Sequence, residues 1–217
     1  AHSQDHSALG KWTNTSDKSI DHSEWAIILE TYIDATAEDG VNLFFYSEVT
    51  NADKKRLKDY ITFLAQIDPT TLNKNEGFAY WANLYNALTV DLILDNYPVE
   101  SIKDIKPSVF AFGPWKMDVV KISGQQLSLD DIEHGLLRAY WTDARIHYAV
   151  NCASIGCPNL RAKPFNGQSL ERDLESAART YINHPRGVHF DSEGRLVLSS
   201  VYNWFKEDFG ETDSAII

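Results

Sequence analysis

Apolar residues recur at helical spacing along three stretches in the first half of the chain. The pattern predicts an amphipathic helix over about residues 23–35 and a second over about residues 51–67, which Asp68-Pro69 ends. The third stretch, residues 76–96, is apolar almost all the way round the helix that its spacing predicts. Because such a helix must be covered on most sides, we expect it to be the central, buried helix of the fold.

Extended segments are predicted mainly in the second half of the chain. Residues 115–122 and 125–127 flank Ser123-Gly124, a pair that is typical of a tight hairpin turn. Residues 145–152 form a predicted strand, and residues 191–194 are predicted to turn a second hairpin. Further helices are predicted over about residues 129–140, 170–183 and 200–209, and Ser128 with Asp131 three residues later resembles a capping box at the start of the first of them. The sequence therefore predicts an α+β fold: a single helix-rich domain with a central buried helix and a small, mainly antiparallel sheet in its C-terminal half.

The beginning of the chain differs from the rest. Residues 1–20 are polar and show no periodicity, so we expect a flexible polar leader followed by one domain over residues 21–217. The chain begins with Ala1 rather than Met, which we interpret as the removal of an upstream signal peptide or tag. In an exported protein Cys152 and Cys157 are close enough in the sequence to form a short disulfide loop. In the cytosol we expect both thiols to stay reduced. We expect an exported protein, periplasmic or secreted.

Composition and charge narrow the choice of partners. The net charge of −11 opposes contact with nucleic acid or with anionic membrane surfaces. No apolar run approaches the ~20 residues that a membrane-spanning helix needs. The chain also lacks the glycine-rich nucleotide motifs, the His-Glu-x-x-His zinc motif and the Cys-x-x-Cys redox motif. We expect a small-molecule or peptide ligand, with no cofactor, no nucleic acid and no integral membrane segment.

Polar side chains interrupt the apolar central helix. Glu76, Tyr80, Asn83 and Asn86 follow one another at helical spacing and form one stripe. A buried amide without a partner costs about 1–3 kcal/mol, so the two asparagines must be hydrogen-bonded. Two interpretations stay open: a structural network that fixes neighbouring loops, or the wall of a ligand cleft.

A second polar group lies on the helix predicted near residue 130. Asp130, His134 and Arg138 share one face, where surface ion pairs are common and weak. A histidine beside a carboxylate is also the usual material of general base catalysis. Glu133 points about 100° away from His134, so these two neighbours cannot simply pair with each other.

The third group combines histidine with cysteine. A strand over residues 145–152 places His147 and Asn151 on one face and Cys152 on the other. Pro158 suits the first position of a helix, which leaves Cys157 at a helix N-terminus, where a thiolate is stabilised. A disulfide between the two cysteines would remove both nucleophiles. The spacing matches none of the common zinc patterns, so we expect no metal site.

Four blocks of sequence together resemble a known family. They are residues 78–89, residues 129–138, residues 145–152 with Cys157-Pro158, and Trp204 before Asp208-Phe209-Gly210. They resemble the domain-of-unknown-function family number 547, over about residues 42–210. The resemblance implies a single α+β domain, often in exported or membrane-associated bacterial proteins, with plant relatives fused to coiled-coil regions. It implies no agreed substrate or mechanism.

The family's signature positions coincide with the polar groups that the residues themselves single out. In this chain they are Asn83, Asn86, Glu133, His134, Arg138, His147, Cys152 and Cys157. This agreement predicts that they converge on one pocket.

The leading hypothesis is a cysteine-dependent acyl-transfer or amide-hydrolysis activity. Cys157 or Cys152 would be the nucleophile, with a histidine as base and Glu133 or Asn151 orienting it. The predicted catalytic residues are Cys157, Cys152, His147, His134 and Glu133. The predicted ligand-binding residues are Glu76, Tyr80, Asn83, Asn86, Arg138 and Asn151. The alternatives are a non-catalytic module that binds a small polar, peptide or thiol ligand such as glutathione, and a structural or interaction domain with a Cys152–Cys157 disulfide.

Overall fold

The structure, a computed structural model, describes residues 5–210 and residue 212. Helices make up most of its regular structure, and they are α1 (Ser23–Tyr32), α2 (Asn51–Ala65), α3 (Lys74–Asn96), a π-helix (Asp131–Trp141), α4 (Ile146–Ala149), α5 (Leu170–Ile182), α6 (Ser200–Trp204) and α7 (Lys206–Phe209). Short 3-10 turns lie at residues 46–48, 69–71 and 102–104. None of the described helices combines the length and the apolar character that a membrane crossing needs.

The strands form three separate antiparallel hairpins. They are β1 (Ile33–Asp34) with β2 (Leu43–Phe44), β3 (Val120–Ile122) with β4 (Gln125–Leu127), and β5 (Val188–Phe190) with β6 (Leu196–Leu198). The α+β class is therefore confirmed. The expected single sheet is instead divided into two-stranded pairs, and one of these lies in the N-terminal half.

α3 is the central helix, as its apolar pattern predicts. Every residue from Glu76 to Val90 is buried. The helix begins where the side chain of Asn73 accepts a hydrogen bond from the backbone N–H of Glu76, at 3.0 Å. α2 packs along one side of α3 and the π-helix along another. A helix covered in this way carries apolar residues on every face because almost none of its surface meets water.

Two local predictions near residue 125 are confirmed. Ser123 and Gly124 turn the β3–β4 hairpin with φ angles of 46° and 83°, the left-handed pair that a tight hairpin requires. Ser128 and Asp131 then cap the π-helix reciprocally. Asp131 Oδ2 accepts from the backbone N–H and the hydroxyl of Ser128, and Ser128 Oγ accepts from the backbone N–H of Asp131.

The prediction of a strand over residues 145–152 is wrong. Residues 146–149 form the single helical turn α4, and all four are buried, so the alternation of a half-exposed strand is absent. The backbone N–H of Val150 bonds to the carbonyl of Ile146 at 3.1 Å and closes the turn. A short apolar run fits a buried helical turn as well as a buried strand, which is why its pattern misled.

The prediction that Cys157 begins a helix is also wrong. Cys157 donates its backbone N–H to Ser154 within a loop, and the next helix starts only at Leu170. The carbonyl oxygens of Ile155 and Cys157 accept hydrogen bonds from Arg186 at 2.7 and 3.1 Å. Because the side chain of Arg186 donates hydrogen bonds to these two carbonyl oxygens, no helix after Pro158 is needed to supply them with donors.

Residues 5–20 do not form the loose leader predicted from their polarity. Leu9 is buried in the main core, and the ring of Trp12 packs on Trp141 at a centroid distance of 5.2 Å. The backbone N–H of Thr13 donates to the carbonyl of Leu72 at 2.8 Å. A few apolar side chains thus attach this polar segment to the domain. Residues 1–4 of the predicted leader lie outside the described part of the chain.

Candidate functional site

The π-helix, α4, α6 and the loop after residue 150 enclose a cavity of about 780 Å³. All five residues predicted as catalytic line it: Glu133, His134, His147, Cys152 and Cys157. We call it the Glu133–His147 cavity. Its volume is that of a site for a small molecule or a short peptide segment.

His147 is held between a carboxylate and an aromatic ring. Its Nε2 lies 2.6 Å from Asp208 Oδ2, and its ring stacks on Phe205 at a centroid distance of 3.9 Å. Its Nδ1 lies 3.8 Å from Glu133 Oε1. Burial lowers the pKa of His147, and the hydrogen bond that His147 donates to Asp208 opposes this only in part. The imidazole is therefore neutral at neutral pH.

The tautomer of His147 follows from its partner. Burial works to raise the pKa of Asp208, but hydrogen bonds from Arg138 and His147 outweigh it and lower this pKa overall. An ionised carboxylate only accepts hydrogen bonds, so the Nε2 of His147 must carry the proton that it donates to Asp208. The Nδ1 lone pair is then free, and it faces Glu133. A neutral imidazole oriented in this way is equipped to accept a proton.

Glu133 is a carboxyl group with little access to water. The residue is 9% exposed, and burial raises its pKa, opposed by the charge of His134. Tyr85, which also lines the cavity, is within hydrogen-bonding reach of it. A carboxyl with a raised pKa beside a neutral imidazole is typical of sites that bind or move a proton.

Arg138 does not line the cavity, although it is one of the predicted ligand-binding residues. It donates to Asp208 through Nε at 2.5 Å and through Nη2 at 3.0 Å, and Nη2 also donates to Glu207 at 2.8 Å. Its Nη1 lies 3.1 Å from Nδ1 of His134. Arg138 therefore positions Asp208, which in turn orients His147. The helical spacing did predict the contact between His134 and Arg138.

The two cysteines form a disulfide in this structure. The bond closes a loop that we call the disulfide loop, residues 152–157, and this loop forms part of the cavity wall. The Nδ2 of Asn151 donates to the carbonyl of Pro158 at 2.9 Å, and its Oδ1 accepts from the backbone N–H of Ala153 at 2.8 Å. The side chain of Asn151 is thus used to shape the loop. In the bonded state neither sulfur is a nucleophile.

The remaining predicted ligand-binding residues lie on α3, away from the cavity. Glu76 Oε1 accepts from the backbone N–H of Gly167 at 3.1 Å, and the hydroxyl of Tyr80 donates to the carbonyl of Leu64 at 2.8 Å. None of these side chains belongs to the cavity wall. Because the signature residues Asn83, Asn86 and Arg138 also lie outside that wall, the prediction that all the signature groups converge on one pocket is wrong.

Asn83 and Asn86 use their amide groups on the backbone of other segments. Asn83 donates to the carbonyl of Phe165 at 2.8 Å and accepts from the backbone N–H of the same residue at 3.0 Å. Asn86 donates to the carbonyl of Ala149 at 2.9 Å and accepts from the backbone N–H of Asn151 at 2.8 Å. The second pair fixes the chain that enters the disulfide loop, so the asparagines of α3 support the cavity without lining it.

The comparisons with known proteins show which family the chain belongs to. The family described as "Protein of unknown function, DUF547" matches residues 69–182, which is just over half of the chain. The chain belongs to the DUF547 family. No curated protein and no solved structure matches it. The DUF547 segment contains α3, the π-helix, α4 and the disulfide loop, and so all five residues predicted as catalytic.

Two site residues that sequence reasoning missed lie beyond the DUF547 segment. Asp208 and Phe205 follow His147 by about sixty residues, and no local spacing connects them to it. Asp208 does stand in one of the four sequence blocks that carry the resemblance. Within the described residues, no group of three or more His, Cys, Asp or Glu side chains is placed to hold a metal ion.

Proposed function

We propose that the Glu133–His147 cavity is a thiol-dependent site for acyl transfer or amide hydrolysis, active when the Cys152–Cys157 disulfide is reduced. One observation carries the proposal. The two cysteines, the neutral imidazole of His147 and the buried carboxyl of Glu133 line the same cavity of about 780 Å³. This chemistry needs a nucleophile, a base and a group that orients the base, and Asp208, bonded to His147, is the orienting group.

The roles follow from the hydrogen bonds. Asp208 holds the proton on Nε2 of His147, which leaves Nδ1 to take the proton of the Cys157 thiol or, failing that, of the Cys152 thiol. The thiolate attacks the acyl carbon, and the bond to the leaving oxygen or nitrogen breaks. The leaving group takes the proton from His147, and a thioester remains. Water or a second nucleophile then releases the acyl group and regenerates the thiol.

Reduction of the disulfide would switch the site on. Two molecules of a small thiol, such as glutathione, would be oxidised to their disulfide while the Cys152–Cys157 bond becomes two thiols. We also propose an exported setting for the protein, because structural disulfides persist mainly in oxidising compartments. Alkylation of the protein in intact cells, before any reductant is added, measures the fraction of free thiol and tests this setting.

The test compares oxidised protein with protein reduced by a phosphine, on p-nitrophenyl acetate and on a peptide p-nitroanilide. We expect turnover only after reduction, faster than that of N-acetylcysteine at equal thiol concentration. Cys157→Ser should abolish it, and His147→Gln should slow it by about 10²-fold or more. His189→Gln is the matched control, since His189 is exposed on β5 and does not line the cavity. Reduced protein that reacts no faster than the free thiol would overturn the proposal.

A second candidate is a non-catalytic binding module for a small polar, peptide or thiol ligand. The observation that favours it is that both imidazole nitrogens of His147 already face carboxylates, Asp208 at 2.6 Å and Glu133 at 3.8 Å. The module would raise the melting temperature when ligand is added but show no turnover. S-methylglutathione, which has no free thiol to reduce the disulfide, is titrated against oxidised protein with melting temperature as the readout, and this distinguishes the two. A rate on either chromogenic substrate that alkylation abolishes would count against the module.

A further inference from the structure

A second cavity, of about 440 Å³, lies beside the disulfide loop. Residues of α5 and of the turn at residues 40–42 line it. The charged side chains that line it are all cations: Arg161, Lys163 and Arg186. We call it the basic cavity. The whole chain carries a net charge of −11, and the Glu133–His147 cavity is lined by three acidic residues, Glu100, Asp130 and Glu133, and by one lysine, Lys103. A cluster of cations without lining carboxylates in so acidic a protein calls for a counter-charge from outside the chain.

Arg186 bonds only to neutral acceptors. Its Nη1 donates to the carbonyls of Ile155 and Cys157, and its Nη2 donates to the side-chain oxygen of Asn159 at 2.9 Å. Its Nε lies 3.3 Å from a ring nitrogen of His184. No carboxylate among the described residues pairs with this guanidinium, so its charge is not neutralised within that part of the chain. The same guanidinium thus belongs to the basic cavity and to the hydrogen bonds of the disulfide loop.

The other two cations differ in how far they are compensated, and the guanidinium of Arg161 also lies over the ring of Phe165 at 4.6 Å. Lys163 is exposed and forms no ion pair within the described residues. Arg161 has one close carboxylate, Asp173, at 3.2 Å from its Nη2, and its Nη1 is buried without a hydrogen-bond partner. A buried donor without a partner costs about 1–3 kcal/mol, which favours a ligand that attracts this guanidinium.

Neutral donors complete the lining. Ser176 and Thr180 stand one turn apart on α5, and both line the basic cavity. Hydroxyl groups beside guanidinium and ammonium groups are the usual ligands of carboxylate and phosphate oxygens in proteins.

We infer that the basic cavity binds a small molecule through a phosphate or carboxylate group, held by Arg161, Lys163 and Arg186. The inference does not depend on the thiol chemistry proposed for the neighbouring cavity. A compact anion fits the volume of about 440 Å³, and a larger ligand would extend to the solvent past Lys163. Because Arg186 also bonds to the disulfide loop, the ligand lies one side chain away from the wall of the first cavity.

The test is calorimetric titration of the oxidised full chain with inorganic phosphate and, separately, with succinate, at constant ionic strength set by sodium chloride. We expect saturable binding of at least one of them. Lys163→Glu should weaken that binding about tenfold or more, because it places a carboxylate among the cations. Thr180→Val should weaken it less. The two titrants distinguish a phosphate site from a carboxylate site.

Lys121→Glu is the matched control. Lys121 is exposed on β3, and its substitution changes the charge by the same amount at a position outside the basic cavity. An equal loss of binding in Lys121→Glu and Lys163→Glu would show a general effect of net charge and overturn the site. The absence of saturable binding of both phosphate and succinate to the wild-type chain would overturn it as well.

Discussion

The polar groups of α3 and those of the Glu133–His147 cavity differ in where their hydrogen bonds go. Asn83 is fully buried, and its amide bonds twice to the backbone of Phe165. Glu133 and His147 are buried almost as deeply. However, Oε1 of Glu133 and Nδ1 of His147, which face each other at the wall of the cavity, are 3.8 Å apart and form no hydrogen bond. The two asparagines of α3 and this second pair look equally out of place in the sequence, yet of these only the second pair has capacity left for a ligand.

This difference teaches that a buried polar residue indicates a functional site only if its hydrogen bonds are incomplete. The asparagines of α3 join that helix to the end of α4, at residues 149–151, and to the loop at residue 165. The last carbonyl groups of a helix and the backbone groups of a loop have no partner in regular secondary structure. The asparagines supply these partners instead, and so they position the chain on which the cavity depends.

The largest expected effect is on stability, from Asn83→Ala. The substitution leaves the backbone N–H and carbonyl of Phe165 buried without partners. Each lost partner costs about 1–3 kcal/mol, so we expect the free energy of unfolding to fall by about 2–5 kcal/mol. Urea denaturation followed by circular dichroism measures it.

Asn96→Ala is the matched control, because Asn96 ends the same helix with its side chain exposed. We expect it to change the free energy of unfolding by less than about 0.5 kcal/mol. If the two variants lost the same stability, the contrast between α3 and the cavity would have no energetic basis.

The second-largest expected effect is on the pH dependence of stability, and it compares the buried imidazoles of His22 and His147. The Nδ1 of His22 contacts only the neutral hydroxyl of Tyr60, at 2.7 Å, and burial lowers the pKa of His22 to about 4. The unfolded chain takes up a proton near pH 6.5, while the folded chain does not, so stability falls as the pH drops from about 6.5 toward 4. At about pH 5 this histidine should reduce the free energy of unfolding by about 2 kcal/mol relative to about pH 7.5.

The measurement is the urea midpoint of the wild type and of His22→Gln at both pH values. The variant should lose most of this acid sensitivity, whatever its stability at neutral pH. For His147 the carboxylate of Asp208 opposes the effect of burial, so the same experiment on His147→Gln should change the pH dependence less. An unchanged pH dependence in His22→Gln would contradict the assignment of a neutral, buried His22.

The parts of the fold that the sequence predicts correctly have local causes. The apolar faces of residues 76–96 predict the central helix, Ser123-Gly124 predicts a turn, and Ser128 with Asp131 predicts a helix cap. Each of these depends on residues within a few positions of one another, where spacing alone decides the geometry.

The parts that could not be predicted depend on distant contacts. The pattern of residues 145–152 predicts a strand where the helical turn α4 forms, because the burial of α4 comes from packing against α5 and not from its own pattern. The attachment of residues 5–20 depends on Trp141, and the orientation of His147 depends on Asp208. The five residues predicted as catalytic could be named from residue chemistry and family resemblance, and all five line the cavity. The partners that set their charge states, such as Asp208, could not be named in this way.

The smallest expected effect on stability, and the most specific to the site, comes from Asp208→Asn. The amide keeps the shape of the side chain but removes the negative charge that favours the protonated imidazole, so the pKa of His147 should fall further below its ordinary value. Proton NMR of the imidazole C–H signals against pH measures it. Glu207→Gln is the control, since Glu207 also pairs with Arg138 but is exposed and makes no contact with His147. Because both variants remove one carboxylate beside Arg138, a general effect of charge would lower the pKa of His147 equally in both. A fall in Asp208→Asn alone would show that the direct hydrogen bond sets the charge state of His147, and an unchanged pKa would remove Asp208 from the site.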